Sequence, residues 1–395
     1  MNIRRRQVTG ASREGGRGLW RSGVVGSVPV VTALVFALAL ARPIQAVVLT
    51  CPSGDVACLI QAINTANENG QENTIELEAG IYSLTAINNM TDGPNGLPSI
   101  TSTLTITGAE LEGVVRAAEN ELPPLPIGIT TVIERNALGS PPPFRLFHVA
   151  AGGVLTLEVL TLRGGDGSLG GGLLNLGTLT IRDSTLVGNR AQVAGALFNN
   201  GTFTMTNSTL AANSGGDAIG GLFNDSSGTA TITNSSVADN TGLIDGGIFN
   251  LGMLSITNST ISRNVAGDGA GGLFSSGTAT LQNTILARNI SRDSQDCSGP
   301  VTSLGNNILG STAGCAVTLL PSDRTGNPLL AELSDVGTPG FGHFPLRPDS
   351  QAIDAANDAV CPDTDQLGRG RVMVFANAPH VCDIGAIEFQ PDIDL

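Results

Sequence analysis

The chain has 395 residues, of which 41% are hydrophobic, 14% charged and 4% aromatic, with 52 Gly and 20 Pro. That hydrophobic fraction excludes wholesale disorder, and the length allows one elongated domain or two compact ones. All 20 basic residues are Arg, so Lys is absent from any list of catalytic bases.

Residues 1–46 read as an export signal. Arg4, Arg5 and Arg6 open a basic region running to Arg21, an apolar stretch follows from Val24 to Ala41, and small residues offer cleavage after Ala41 or Ala46. The competing reading is an uncleaved anchor, because the 18 residues Val24–Ala41 nearly span a bilayer. Pro29 and the small residues around it favour the signal peptide, after whose cleavage no membrane association is expected. The remaining chain carries 13 Arg against 33 acids, a net charge of −20. Such a charge excludes nucleic acid as a partner bound through phosphates. It suits a secreted or cell-surface location.

Residues 47–73 predict a helical cap. Val56, Leu59, Ile60 and Ile63 fall at helical spacing, with Asp55 before them and Gly70 after. An amphipathic helix there covers the exposed strand edges of whatever coil follows. From residue 74 strand-like runs begin: 74–85, 100–107, 130–135, 144–149 and 154–163.

Segments starting at Gly177, Gly201, Gly228, Gly252 and Gly277 then share one pattern. It runs Gly-Thr-x-Thr-apolar-x-Asn-Ser-Thr-apolar-x-x-Asn, a variable loop, and Gly-Gly-apolar-Phe-Asn. A fixed period near 25 residues is the signature of stacked supersecondary units. Asp183, Asn207, Asn234, Asn258 and Asn283 are spaced 24, 27, 24 and 25, and Asn189, Asn213, Asn240, Asn264 and Asn289 repeat those spacings. Strand registers hold while loops absorb the differences, as pairing requires. Identical short strands with tight Gly and Asn turns stack by coiling, about 4.8 Å per coil. The expected architecture is therefore an all-β, right-handed parallel β-helix of nine or ten coils over residues 74–296, monomeric. The Asn columns belong at corners, where Asn tolerates left-handed backbone and can ladder between coils. The column Leu174, Phe198, Phe223, Phe249 and Phe274 is expected to stack inside.

Residues 297–395 lose the repeat and hold Cys297, Cys315, Cys361 and Cys382, which reads as a disulfide-containing C-terminal cap. With Cys51 and Cys58 the count is six, even in an exported chain, so disulfides are expected. Fifteen pairings are possible. The local set, 51–58, 297–315 and 361–382, is preferred because each pair lies in one short segment. Metal–thiolate binding would want a Cys-x-x-Cys pair, which the chain lacks.

Phe144-Arg145-Leu146-Phe147-His148-Val149, the strand from Gly153 to Leu157, Leu162-Arg163-Gly164-Gly165 and the Gly-Thr-x-Thr repeats together resemble the pectin-lyase-like β-helix repeats of bacterial surface proteins. Cys51 through Cys58-Leu59-Ile60-Gln61-Ala62-Ile63 is similar to the CSLREA segment, but reads Ile60-Gln61-Ala62 where that family has Arg-Glu-Ala. Asp296-Cys297, Ser303-Leu304-Gly305-Asn306-Asn307, Ala352-Ile353-Asp354, Asp365-Gln366-x-Gly368-Arg369 and Cys382-Asp383-Ile384-Gly385-Ala386-x-Glu388 resemble the choice-of-anchor Q domain. The resemblance implies a surface or secreted protein. It carries no activity with it, because fold does not imply function.

For function, two classes compete: a non-catalytic adhesion or glycan-binding module, and a polysaccharide lyase or hydrolase acting on acidic polysaccharide. Lyases of this fold use clustered acids to hold calcium and an Arg or Lys as base. Asp217, Asp245 and Asp268 sit in successive loops and are calcium candidates. Their offsets from the following Gly pair are −3, −1 and −3, so the column is uneven, and each coil brings one acid. Arg263 and Arg288 share a column, as a stacked pair for an acidic sugar or as partners of Asp239. No paired carboxylates at hydrolase separation are evident. His148, His343 and His380 have no metal spacing. A charge-richer region holds Glu110, Glu112, Arg116, Glu119, Glu121, Glu134 and Arg135. The Asn-x-Ser/Thr sequons at Asn207, Asn234, Asn258 and Asn289 fall out of the corner repeat and are not read as glycosylation sites. Finally, the fifteen outward strand positions 178, 180, 182, 202, 204, 206, 229, 231, 233, 253, 255, 257, 278, 280 and 282 are eleven Thr, one Ser, Arg182, Met253 and Gln282. They form a hydroxyl grid of about 4.8 by 6.8 Å that suits sugars or ordered water.

Overall fold

The computed structural model describes residues 46–109, 130–136, 138, 140–335, 337–371, 374–375, 378–379 and 381–390. Among them the chain coils into a parallel β-solenoid of about ten turns. Two ten-stranded sheets run its length, with an eight-stranded sheet and a five-stranded sheet, the latter from Asp166–Gly167 to Val265–Ala266, beside them. The first, here the Thr sheet, starts at Val47–Cys51 and Asn73–Leu77 and ends at Thr278–Gln282 and Thr302–Ser303. The second starts at Gly80–Leu84 and ends at Arg324–Thr325, and the third runs from Phe147–Val149 to Cys315–Ala316. Each repeat pairs in register with its copy: Thr178 opposite Thr202, Ile181 opposite Met205, Thr204 opposite Thr231.

Alternation drives the packing. Along the Thr sheet Leu179, Ile181, Phe203, Met205, Ile232, Ile256 and Leu281 point inward and are buried, while the intervening Thr face out. The corner into the second sheet is left-handed at Asp183, Asn207, Asn234, Asn258 and Asn283, with φ between 47° and 51°. A second left-handed corner falls on Gly188, Ala212, Asp239, Arg263 and Arg288. It lies one residue before the second Asn column, which turns inward. Those amides form a ladder: Asn189 Nδ2 donates to Asn213 Oδ1 at 3.1 Å, and Asn213 to Asn240, Asn240 to Asn264 and Asn264 to Asn289 each at 2.9 Å. A further inner ladder, Asn175, Asn199, Asn224 and Asn250, is joined by 2.7 Å bonds.

The Phe column does not lie inside. In each three-residue strand Leu-Phe-Asn or Ile-Phe-Asn the outer two residues are buried and Phe is half-buried on the outer face. The rings of Phe198, Phe223, Phe249 and Phe274 stack there at centroid distances of 4.8, 4.9 and 4.6 Å. Strand parity explains it. The Asn must face inward, where its amide bonds the next coil and the backbone entering the Thr sheet, as Asn199 does to Thr229 O at 3.3 Å. The residue before it then faces outward. Leu174, in the same column, is buried.

Helix α1 (Val56–Asn69) forms where the spacing placed it. The Asp55 carboxylate accepts from Cys58 N, Gly70 ends the helix with φ 66°, and Leu59, Ala62, Ile63 and Ala66 are buried in the solenoid core. The disulfides are Cys51–Cys58, Cys297–Cys315 and Cys361–Cys382, the local pairing. No helix among the described residues is long and apolar enough to cross a membrane.

Coiling continues past residue 296. Cys297–Pro300 pairs with Leu273–Ser275, and Ile308–Leu309 with Ile285–Leu286. From about 326 the chain runs back along the flank of the second sheet, with no regular repeat. Thr185 Oγ1 donates to Thr338 O (3.2 Å), Thr209 Oγ1 to Gly342 O (2.8 Å) and Ser236 Oγ to Gln366 Oε1 (2.7 Å), while Ala386 N donates to Thr260 Oγ1 (3.1 Å). Outward Ala211, Ala238, Ile285 and Ala287 are buried beneath Phe344, Leu346, Ala352 and Ile384.

Candidate functional site

The C-terminal segment takes the second sheet's outer face, which leaves open, among the described residues, the Thr sheet and the Phe-bearing face of the third sheet, the Thr sheet having the longer strands. Its central column reads Thr74, Thr105, Thr156, Thr180, Thr204, Thr231, Ser255, Thr280 and Thr302, in unbroken register. Each is half-buried or exposed. The repeats alone displayed only the positions from 178 to 282. Thr74, Thr105, Thr156 and Thr302 join them through pairing that crosses irregular loops. Thr280 Oγ1 makes one long bond, 3.5 Å, to Leu254 O. Among the described residues the other hydroxyls of this column have no protein acceptor, so they are free to bond a ligand. Charge is confined to one edge, where Glu158 and Arg182 pair on adjacent strands.

The three calcium candidates do not converge. Asp217 and Asp268 are exposed, and Asp268 lies 3.9 Å from the Arg292 guanidinium. In the loop register Asp217 N donates to Gln192 O and Asp268 N to Leu243 O, so a whole coil, the one carrying Leu243, separates the two acids. Asp245 occupies a different register, beside Ile219, and is 1% exposed. The uneven offsets seen in the sequence are the cause. Burial pushes the Asp245 carboxyl up to about 6, although the Ala270 N–H it accepts acts in the opposite direction, and its Oδ2 is unpartnered. The folded state therefore binds more protons than the unfolded chain between pH 3.8 and about 6. Stability rises as pH falls through that window and is lost as pH rises. The shift corresponds to roughly 3 kcal/mol. Asp296 is pushed up by burial too and acts in the same sense, whereas buried His148, pushed down, opposes it below pH 6.5. Asp245→Asn should flatten the dependence of the urea midpoint on pH between 4.5 and 7.5. An unchanged profile would refute this account.

The Arg column is used by the protein itself. Arg263 Nε donates to Asp239 Oδ1 at 2.9 Å and its Nη1 pairs with Glu332, and Arg288 Nη1 donates to Leu330 O at 2.9 Å. Both residues thus pin the returning segment. Arg135 donates to Pro141 O and Pro142 O and lies 5.5 Å over the Phe144 ring. Glu134 pairs with Arg163 at 2.7 Å and accepts from Ser83. Glu110, Glu112, Arg116, Glu119, Glu121 and His380 lie outside the described residues. His148 is buried and His343 half-buried.

The C-terminal motif residues build a polar lock. Fully buried Arg371 donates to Asn234 Oδ1 (3.0 Å) and Gly385 O (2.8 Å), and lies 3.4 Å from Glu388 Oε2. Asp365 accepts from Leu367 N, Arg369 N and Glu388 N, and Asp383 from Asp354 N and Phe389 N. Burial pushes the Asp383 and Glu388 carboxyls up, Glu388 further because the Asp383 charge adds to it. Most of its hydrogen bonds close within the lock, although the buried Arg371 Nε has no partner among the described residues. Asp358, Cys361 and Cys382 also lie together, but the two sulfurs are bonded to each other and supply no thiolate.

These surfaces define the class: a parallel β-solenoid, disulfide-bonded at both ends of the chain, with one hydroxyl-rich sheet left open. No protein-family model, curated protein or solved structure matches the chain.

Proposed function

We propose that the protein is an exported, extracytoplasmic β-solenoid that binds glycan on its Thr sheet, serving as a non-catalytic adhesion or glycan-binding module. The observation that carries this reading is the unbroken central Thr/Ser column, whose hydroxyls, Thr280 apart, make no hydrogen bond to the protein among the described residues and are left open by the C-terminal segment. The three disulfides accord with an oxidising compartment. So does the resemblance to surface proteins of the choice-of-anchor Q group.

Charge selects the glycan class. The chain is strongly acidic and the centre of the Thr sheet is neutral, so an uncharged polysaccharide is favoured over an anionic one. The test is co-sedimentation of the signal-free protein with neutral insoluble polysaccharides such as cellulose and chitin. A Thr180→Val/Thr204→Val/Thr231→Val variant keeps strand propensity and shape but removes three hydroxyls. Binding should fall on the order of a hundredfold, at about 1 kcal/mol for each of the three lost bonds. Equal retention of variant and wild type, or retention of neither, would sink the reading.

A further inference from the structure

The hydroxyls of the Thr sheet stand on a rectangular net. In-register parallel strands place Thr180, Thr204 and Thr231 one above another, and alternate residues of one strand place Thr202, Thr204 and Thr206 side by side. The net measures about 4.8 Å between coils and about 6.8 Å along a strand. Water joined tetrahedrally by O–H···O bonds of about 2.75 Å puts next-nearest oxygens about 4.5 Å apart, and its puckered layers repeat at about 7.3 Å. Those two lengths are the sides of the oxygen net on the prism face of ice. We propose that the Thr sheet is an ice-binding face, whose ligand is the prism plane of an ice crystal. The proposal shares the open sheet with the glycan reading but does not depend on it.

The two nets stay matched over the repeats. Each coil drifts by about 0.3 Å against the ice spacing, so the coils from 178 to 282 stray by about 0.6 Å either way from a centre at Thr231. Along a strand the outer columns stray by about 0.5 Å from the central one. For a bond standing upright on the face, a sideways shift of about 0.6 Å lengthens an O···O distance of about 2.75 Å by less than about 0.1 Å, well within the hydrogen-bond range. An ice face is flat, whereas sheets normally twist unless stacked side-chain ladders hold them flat. Two such ladders run inside these coils, from Asn189 to Asn289 and from Asn175 to Asn250. The face is also free of charge. None of the outward positions of this sheet from 202 to 282 is charged, and Arg182, at the edge, is paired with Glu158. An ion there would impose its own hydration geometry on the water. Met253, 60% exposed, and Gln282 interrupt the outer columns, so the densest patch is Thr202, Thr204, Thr206, Thr229, Thr231 and Thr233.

Thr suits this task through both of its terminal groups. Among the described residues the Thr hydroxyls of these coils bond to nothing in the protein save that of Thr280, whose one bond is long at 3.5 Å. They therefore anchor water, while the methyl groups beside them accept no hydrogen bond and restrict how first-shell water can turn. Water held in this way sits near lattice positions before ice arrives, so joining the crystal costs little further ordering. Each Thr–ice bond replaces a Thr–water bond, and one hydroxyl alone gains little. A sheet that offers many at once binds a crystal far better than it binds any small solute. Ice then has to grow as bulges between adsorbed molecules, and the added curvature opposes growth.

Signal-free protein should be taken up into ice grown slowly from dilute solution, where an ordinary solute is excluded, and should keep grains small in an annealed frozen film. Thr206→Val/Thr233→Val removes two hydroxyls from one outer column while keeping shape and strand propensity. The concentration needed to hold the grains should rise on the order of thirtyfold, for two anchors at about one net hydrogen bond each, with an unchanged melting midpoint. Retention of this variant on cellulose and chitin should match wild type, because Thr180, Thr204 and Thr231 remain, so failure of ice binding and failure of glycan binding are read separately. Exclusion of the wild type from ice, or equal grain control by folded wild type and folded variant, would overturn the proposal.

Discussion

Asn240→Ala should destabilise the protein by about 4 kcal/mol, the cost of stranding several buried polar groups at once. Asn240 Oδ1 accepts from Asn213 N at 3.0 Å and from Asn213 Nδ2 at 2.9 Å, and its Nδ2 donates to Leu210 O and Asn264 Oδ1, both at 2.9 Å. Alanine leaves these partners in a dry interior that water cannot enter without opening the coil. The ladder also has a direction. Every amide donates toward the C-terminal end, and the last acceptor is Asp296, whose Oδ1 takes Asn289 N and Nδ2 and whose Oδ2 takes Ser311 N. A carboxylate fits a terminal rung because it only accepts. Asn240→Asp should therefore destabilise as well, because in mid-ladder a carboxylate would face Asn264 Oδ1 with no proton to offer. Urea unfolding of both variants against Thr204→Ala, which alters only the outer face, makes the comparison. An Asn240→Ala midpoint within error of Thr204→Ala would contradict the ladder's role.

The parts of the fold legible in the sequence were those that tolerate no insertion. Strand registers repeat because a one-residue slip would turn Leu179 or Ile232 outward. The left-handed corners repeat because Asn is among the few residues that accept them cheaply. The Phe column misled for a definite reason. A three-residue strand has two possible parities, and hydrophobicity argues for the one that buries Phe223. What decides the matter is Asn224, whose amide has work inside the coil that no periodicity displays. The C-terminal segment was opaque for another reason. Thr185, Thr209, Ser236 and Thr260 look like ordinary strand formers, and only the folded chain reveals that residues 338–386 hydrogen-bond to them. The Thr sheet was half legible. Its repeats were evident, but its extension to Thr74 and Thr302 depends on register across loops of unequal length.

Arg371→Met should release the returning segment from the solenoid while leaving the coils folded. The guanidinium is wholly buried and ties Asn234, in the corner column, to Gly385 O and Glu388 in the segment. Its charge also compensates Asp365, Glu388 and Asp383, each of which favours the charged form of Arg371 against its burial. Replacing one member of such a set leaves buried carboxylates uncompensated, which typically costs 3–5 kcal/mol. The loss falls on residues that carry no strand ladder, so it should appear as local opening. Amides 352–371 and 381–390 should exchange faster in Arg371→Met, while those of 229–233 and 253–257 keep their protection. The effect should also depend on pH. Glu388, pushed up to about 9, holds its proton from pH 7.5 downward, whereas Asp383, pushed up to about 6 by burial, holds its proton more tightly still without the cation. Protonation then removes much of the penalty, so protection should recover in part as pH falls from 7.5 to 5. Uniform loss of protection across both groups of amides would mean that the segment and the coils unfold as one unit, and the lock assigned to Arg371 would be wrong.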